Sequence, residues 1–312
     1  MSRDKKLSVL ISPGNWDPKP WVQGLSASDL IDEIHVWPTE AELDKVELLL
    51  VWQPLPAGVV DKLPNLKFLS SMGAGVDHLL GDSQIPKGLP VMRIVDKYLA
   101  IDMTNYVLMS LMIYQRSYHQ LVENQKKHTW DRLNYRKIKV GILGLGALGS
   151  HLARQLVSSG FEVYGFSRHP KEIDGVKSYS GNELETFLAE PEVLVNLLPL
   201  NDHTRDILNY DFFAHMQRGA YLINVARGGH LVEEDLLKAL DDGLLKGATL
   251  DVFRKEPLPE KHPFWSREDI IITPHVASVT TPDSAINQVL ENCSNFLTGS
   301  PLNYLVDLER QY

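Results

Sequence analysis

The sequence predicts an α/β protein built from two doubly wound domains, each on a parallel sheet. Three observations predict it. Strand-like runs recur along the whole chain and helical patterns separate most of them, the alternation that βαβ units require. A strand–glycine turn–helix unit opens only at residue 139, so one α/β set precedes it and a second begins with it. At 312 residues the chain is also long enough for two cores.

The first sheet is predicted from LSVLI (7–11), ELLLVW (47–52), FLSSM (68–72) and VMRIV (91–95), short apolar runs suited to buried strands. Residues 102–124 read as one long bridging helix, capped by Asp102 or Thr104, with Val107, Leu108, Leu111 and Met112 on its apolar face. The second sheet is predicted from KVGILG (139–144), FEVYGF (161–166), EVLVNLL (192–198), AYLINV (220–225), GATLDVF (247–253) and IIITPH (270–275). Helices are expected between them, for example over 182–189 and 233–242. A last helix over 283–298 is expected to cross back to the first domain. Residues 1–101 plus 283–312 would then form one discontinuous domain and 102–282 the other, with a cleft of the kind that binds small substrates.

Composition excludes several classes. Hydrophobic residues make up 44% and charged residues 23%, ordinary for a soluble globular protein. A net charge of −9 offers no global attraction to nucleic acid or to an anionic membrane. No apolar run reaches the roughly 20 residues that span a bilayer. Arg3, Lys5 and Lys6 precede LSVLI, but Ser12, Pro13 and Gly14 end that run, so it reads as a first buried strand rather than a signal peptide. Cys293 is the single cysteine, which rules out an internal disulfide and a cysteine-rich metal site. It is assigned to helix packing, and a reducing cytoplasm fits.

The most informative stretch is IKVGILGLGALG (138–149), with Gly144-x-Gly146-x-x-Gly149. Val140, Ile142 and Leu143 suit a buried strand; Leu148, Leu152, Ala153 and Leu156 suit the inner face of the following helix. In that context the first glycine makes a tight turn, the second admits a pyrophosphate to the backbone, and the third lets helix and sheet pack closely. Gly144, Gly146, Ala147, Leu148 and Gly149 are therefore candidate dinucleotide contacts, with the anion on free N–H groups at the helix start.

The next strand ends in Ser167-Arg168-His169-Pro170, where an NAD site normally carries an acidic residue for the ribose 2′-OH. A carboxylate would repel a 2′-phosphate, whereas a guanidinium can grip it in a bidentate way. Ser167 and Arg168 thus favour NADP(H), with NAD(H) bound at lower affinity. A solvated loop arginine is the alternative.

Three further segments end strands. They are NVARGG with Arg227, DVFRKEP with Asp251 and Glu256, and TPH with His275. The carboxyl ends of strands are where doubly wound sheets bind ligands. One arginine, one carboxylate and one histidine suit the reduction of a 2-keto acid. Arginine binds the carboxylate and polarises the carbonyl, and histidine gives the oxygen a proton. A glutamate beside the imidazole favours its charged form. Each residue also has a structural alternative: Arg227 bonding nearby carbonyls, Glu256 capping a turn, His275 packed in a core. No histidine pair has metal-ligand spacing, so no metal is expected.

These motifs, VGILGLGALG, NVARGG, LDVFRKEPLP and ITPHVAS in that order, resemble the D-isomer-specific 2-hydroxyacid dehydrogenase family over essentially the whole chain. The details LINVARGGHLVEEDLLKALDDG, VNLLPL and PHVASVT resemble its bacterial branch of glyoxylate/hydroxypyruvate reductases. The resemblance implies a Rossmann nucleotide domain inserted in a discontinuous, flavodoxin-like substrate domain, and a homodimer. It implies that Arg227 binds substrate, Glu256 assists the histidine and His275 donates the proton. Further cofactor contacts are carried over to Leu198, Pro199, Val225, Ala226 and Asp251. The loop Met72 to Asp77 resembles the family's substrate loop, in which backbone N–H groups of Gly73, Ala74 and Gly75 would hold the carboxylate; a plain turn is the alternative. Trp52, in LVWQP, resembles an aromatic that narrows the site, with an ordinary core role the alternative. The segment VDKYLAIDMTNYVL departs from the usual small-residue stretch and leaves one wall of the substrate pocket undetermined.

The expected activity is NADPH-dependent reduction of small 2-keto acids, glyoxylate to glycolate and hydroxypyruvate to D-glycerate. Pyruvate or phenylpyruvate reduction is the nearest alternative. A nucleotide-sensing corepressor of the same fold is a second class, since fold alone does not settle function.

Overall fold

In a computed structural model, which describes residues 5–132 and 137–307, the apolar runs become strands of two parallel sheets. The chain divides into two units. One takes in the chain up to Tyr98 and again from Val279; the other is Leu99–Ser278. The expected junctions lie three and four residues further along the chain.

The first unit contains β1 (Leu7–Ser12), α1 (Lys19–Ser26), β2 (Ile31–Val36), β3 (Val46–Val51), β4 (Phe68–Ser71) and β5 (Val91–Met92). Its strands run parallel in the order β2-β1-β3-β4-β5, the flavodoxin-type winding. Every residue of β1 is buried, as a central strand covered on both faces requires. β2 is absent from the sequence reading because Asp32, Glu33 and His35 interrupt its apolar character; it is an edge strand with only Ile31 buried. β5 is shorter than VMRIV suggested. Beyond Met92 the backbone leaves the sheet, with the Arg93 N–H donating to Tyr304 O (3.2 Å) and the Ile94 N–H to Gly73 O (3.0 Å).

The single helix expected over 102–124 is two helices, α2 (Lys97–Gln115) and α3 (Tyr118–Lys126). Ser117 has left-handed backbone (φ 49°), which the right-handed helix cannot continue through. Neither Asp102 nor Thr104 starts α2. Asp96 lies just ahead of it, and its carboxylate accepts the Tyr98 N–H at 3.0 Å. Val107 and Leu111 are fully buried, yet Met112 is 40% exposed, so the apolar residues of α2 cover more than one face.

The second unit continues with β6 (Lys139–Leu143), α4 (Ala147–Ser158), β7 (Glu162–Ser167), β8 (Val176–Ser180), α5 (Leu184–Leu188) and β9 (Val193–Asn196). It ends with α6 (Tyr210–Ala214), β10 (Ala220–Asn224), α7 (Glu233–Asp241), β11 (Leu245–Leu250) and β12 (Ile270–Ile272). The order β12-β11-β10-β9-β6-β7-β8 is parallel throughout, and its winding reverses between β6 and β9. That switch point opens a crevice at the strands' carboxyl ends. Leu152, Ala153 and Leu156 of α4 are fully buried against β6, as their spacing requires. β8 was missed because VKSYS is polar; only Tyr179 on this edge strand is buried.

After Ser278 the chain returns to the first unit and forms α8 (Pro282–Thr298). It packs on α1, where Ile286 occupies the space that a Cβ on Gly24 would need. Cys293 is fully buried in α8, and burial pushes its thiol up to about 12, consistent with packing rather than reactivity. Among the described residues no helix is long and apolar enough to cross a membrane.

Candidate active site

The glycine turn joins β6 to α4. Gly144 has φ +108°, and a Cβ there would lie 2.8 Å from Leu197 O, so both conformation and space exclude a side chain. A Cβ on Gly149 would meet Gly144 O at 2.0 Å, the close helix–strand approach expected of the third glycine. Gly146 differs. It precedes α4, has ordinary φ (−67°), and nothing lies within 4 Å of where its Cβ would be. Backbone and open space at a helix start suit a pyrophosphate, so these residues fit a dinucleotide. Ala147 and Leu148 form the first turn of α4.

β7 delivers Ser167 and Arg168 beside this turn's strand. The Ser167 hydroxyl donates to His169 O (2.8 Å), fixing the loop, while Arg168 is exposed and makes no ion pair among the described residues. Lys171, which sequence reasoning missed, donates from Nζ to Leu145 O at 2.7 Å and so ties this loop to the glycine turn. A lysine four residues past the strand end was the only signal, and it is a weak one.

Leu198 and Pro199 follow β9, with the Leu198 N–H donating to Asn196 Oδ1 (3.2 Å). Val225 and Ala226 follow β10 and are buried. Beneath them lies a polar cluster the sequence did not reveal. Asn196 Nδ2 donates to Asn224 Oδ1 (3.0 Å), Asn224 Nδ2 donates to Arg227 O (3.2 Å), and His230 Nδ1 lies 3.1 Å from the same carbonyl. All three side chains are fully buried. Their bonds fix the backbone on which Arg227 stands, and the Arg227 guanidinium donates to Ala226 O at 2.7 Å.

His275 and Glu256 meet. Nδ1 of the imidazole is 2.8 Å from Glu256 Oε2, and Glu256 Oε1 accepts the Phe253 N–H at 2.9 Å. Partial burial alone would raise the Glu256 carboxyl. The bonds from His275 and Phe253, with the charges of His275 and Arg227, outweigh burial and hold it below its ordinary range. His275 is exposed rather than packed in a core, so Nε2 is the nitrogen available to a ligand. It sits in left-handed backbone (φ 56°), uncommon for a non-glycine residue and frequent at functional sites. Asp251 is fully buried beneath it, with its carboxylate turned toward the histidine's loop.

In the first unit the loop after β4 has its own order. Ser71 Oγ accepts the Gly73 N–H (3.2 Å) and donates to Gly75 O (2.9 Å). The Gly73 N–H is thus engaged within the loop, whereas those of Ala74 and Gly75 carry no bond among the described residues. The Trp52 ring lies 3.5 Å from where a Gly73 Cβ would be, and Trp16 packs on Trp52 with ring centroids 4.8 Å apart. Trp16, half exposed in a loop, had no sequence signal.

Residues 108–277 match the family model for the D-isomer specific 2-hydroxyacid dehydrogenase NAD-binding domain. The chain is 38% identical to glyoxylate/hydroxypyruvate reductase A of Yersinia enterocolitica over 306 residues, 95% of this chain and 97% of that protein. Among solved structures it is similar to a D-isomer specific 2-hydroxyacid dehydrogenase from Xanthobacter autotrophicus Py2 in complex with NADPH and MES. The TM-score is 0.93 and the identity 35%, over 98% of this chain and all of that one. It is also similar to an NADPH-dependent glyoxylate/hydroxypyruvate reductase from Sinorhizobium meliloti in complex with NADP and sulfate. There the TM-score is 0.92 and the identity 34%, again over 98% of this chain and all of that one.

Proposed function

From the premise that this chain belongs to the D-isomer specific 2-hydroxyacid dehydrogenase family, we propose that it reduces small 2-keto acids with NADPH, glyoxylate to glycolate and hydroxypyruvate to D-glycerate. The observation that carries this reading is the 2.8 Å pair of His275 and Glu256, with Arg227 acting on the same carboxylate. Relatives at this identity carry the glyoxylate/hydroxypyruvate reductase name, and two similar structures hold NADP or NADPH.

In this proposal Gly144, Gly146, Gly149 and the first turn of α4 hold the pyrophosphate, and Ser167 and Arg168 take the 2′-phosphate. Leu198, Pro199, Val225, Ala226 and Asp251 contribute further contacts at the strand ends. When bound, the reduced nicotinamide supplies a hydride, chemistry that no side chain can provide. The Arg227 guanidinium binds the keto acid's carboxylate and polarises its carbonyl. Glu256 accepts a hydrogen bond from Nδ1–H, so the proton to be given up is the one on Nε2. His275 gives that proton to the carbonyl oxygen, leaving a neutral imidazole still bonded through Nδ1. In the first unit, Ala74 and Gly75 offer backbone donors to a carboxylate, and Trp52 limits side-chain bulk.

NAD(H) serves with lower affinity in this reading, and the enzyme is a cytoplasmic homodimer. Ile101, Met109 and Met112 of α2, Tyr118 and Leu121 of α3, and the 95% exposed Trp130 are exposed apolar side chains, which supports self-association. The test is absorbance at 340 nm with NADPH and NADH in parallel, offering glyoxylate, hydroxypyruvate, pyruvate and phenylpyruvate. Fastest oxidation of NADPH with glyoxylate or hydroxypyruvate is expected. Tight nucleotide binding without turnover of any acid would point instead to a sensing module.

A further inference from the structure

We propose that Tyr106 of α2 is a positioning residue for His275, acting through Thr273 and Asp251 on the loop that carries the imidazole. The inference rests on the reading of His275 as proton donor. It starts from a chain of three buried or half-buried groups whose polarity is fixed. Thr273 Oγ1 donates to Asp251 Oδ1 at 2.6 Å, which uses its only proton. The 2.5 Å contact between Tyr106 OH and Thr273 Oγ1 must then run from the tyrosine hydroxyl to the threonine oxygen.

At its far end the chain meets the histidine's loop. Asp251 Oδ1 also accepts the Val276 N–H (2.9 Å), and Oδ2 accepts the Ala277 N–H (2.8 Å). The His275 N–H donates to Asp251 O (2.8 Å) and lies within reach of Thr273 O (3.1 Å). Asp251 thus holds Thr273, two residues before His275, and Val276 and Ala277 after it, while His275 itself keeps a left-handed conformation that L side chains rarely adopt. Such a conformation persists only where its surroundings impose it, and the carboxylate is what imposes it. Tyr106 and Thr273 in turn fix that carboxylate, whose rotation would release both N–H groups. Glu256, on the loop after β11, is the charged group bonded to the ring; Arg227 acts on Glu256, and Asp251 bonds the loop beneath.

Tyr106 makes no hydrogen bond to the imidazole among the described residues, and its buried ring belongs to the hydrophobic core of this unit, so Tyr106→Phe keeps the packing and removes only the hydroxyl. In the full-length protein with NADPH and glyoxylate, Tyr106→Phe is expected to lower kcat roughly five- to twentyfold and leave the NADPH Kd within about twofold. Thr273→Val should match or exceed that loss, and the double variant should be no worse than Thr273→Val, because both break one chain. Thr273→Ser keeps the hydroxyl and should restore kcat to within about threefold. Independently of turnover, amide hydrogen exchange at Val276 and Ala277 should speed up about tenfold in Tyr106→Phe while exchange in β6 stays unchanged. Unchanged exchange at these two amides overturns the proposal, as does kcat within twofold of the parent. If the parent reduces no 2-keto acid, the proposed function fails, and the exchange measurement still decides whether Tyr106 holds the loop.

Discussion

Nδ1 of His275 lies 2.8 Å from Oε2 of Glu256, and the other Glu256 oxygen is held by the Phe253 N–H at 2.9 Å. A carboxylate anchored through one oxygen presents the other in a fixed direction. The imidazole is therefore oriented by a group that is itself oriented, the arrangement a general acid needs.

Replacing His275 by alanine removes the proposed proton donor but no part of the glycine turn. We expect kcat to fall about a hundred- to ten-thousandfold, the range general acid catalysis supplies. NADPH affinity, measured by fluorescence titration, should stay unchanged. Near-normal turnover would remove His275 from the mechanism.

The Glu256 carboxyl is held below its ordinary range, and that fixes the sign of a pH effect. A carboxyl depressed in the folded state contributes stability above its unfolded pKa and loses it as pH falls through the folded value. Melting temperatures of the parent and Glu256→Gln should therefore differ most at neutral pH. The gap should narrow below the ordinary glutamate range and close in stronger acid. A gap independent of pH would show that the pair adds nothing through charge.

Arg168 is exposed and without an ion-pair partner among the described residues, so its removal should not perturb the fold. Arg168→Ala should weaken NADPH by about ten- to a hundredfold, the scale of a charge-assisted bond, and change NADH little. KM for the two nucleotides checks this, and equal losses for both would refute a grip on the 2′-phosphate.

Gly146 and Gly149 separate binding from folding. A methyl on Gly146 meets nothing within 4 Å, so Gly146→Ala should melt within about 2 °C of the parent yet bind NADPH at least about tenfold more weakly. A methyl on Gly149 meets the Gly144 carbonyl oxygen at 2.0 Å, so Gly149→Ala should lose several degrees whether or not nucleotide is present. Calorimetry and titration on the two variants distinguish these outcomes. Undiminished NADPH binding by Gly146→Ala would move the pyrophosphate elsewhere.

The two parallel sheets, the glycine turn and the segments bearing Arg227, Glu256 and His275 were legible in the residues alone. Those features rest on local rules: apolar runs make buried strands, and a turn with no room for Cβ demands glycine. Edge strands β2 and β8 escaped because half their residues face solvent and carry no apolar signal. The break at Ser117 escaped because no glycine or proline marks it. The partner that each polar group takes came from the folded chain. It paired His275 with Glu256, 19 residues away, and linked Tyr106 to Thr273 across 167 residues. It also placed Asp251 beneath the histidine's loop and buried Asn196, Asn224 and His230 together under Arg227. Hydrogen bonds of this kind depend on distances of a few tenths of an ångström between strand ends brought together by the fold. A sequence pattern specifies which strands exist and which faces they bury, but not those distances.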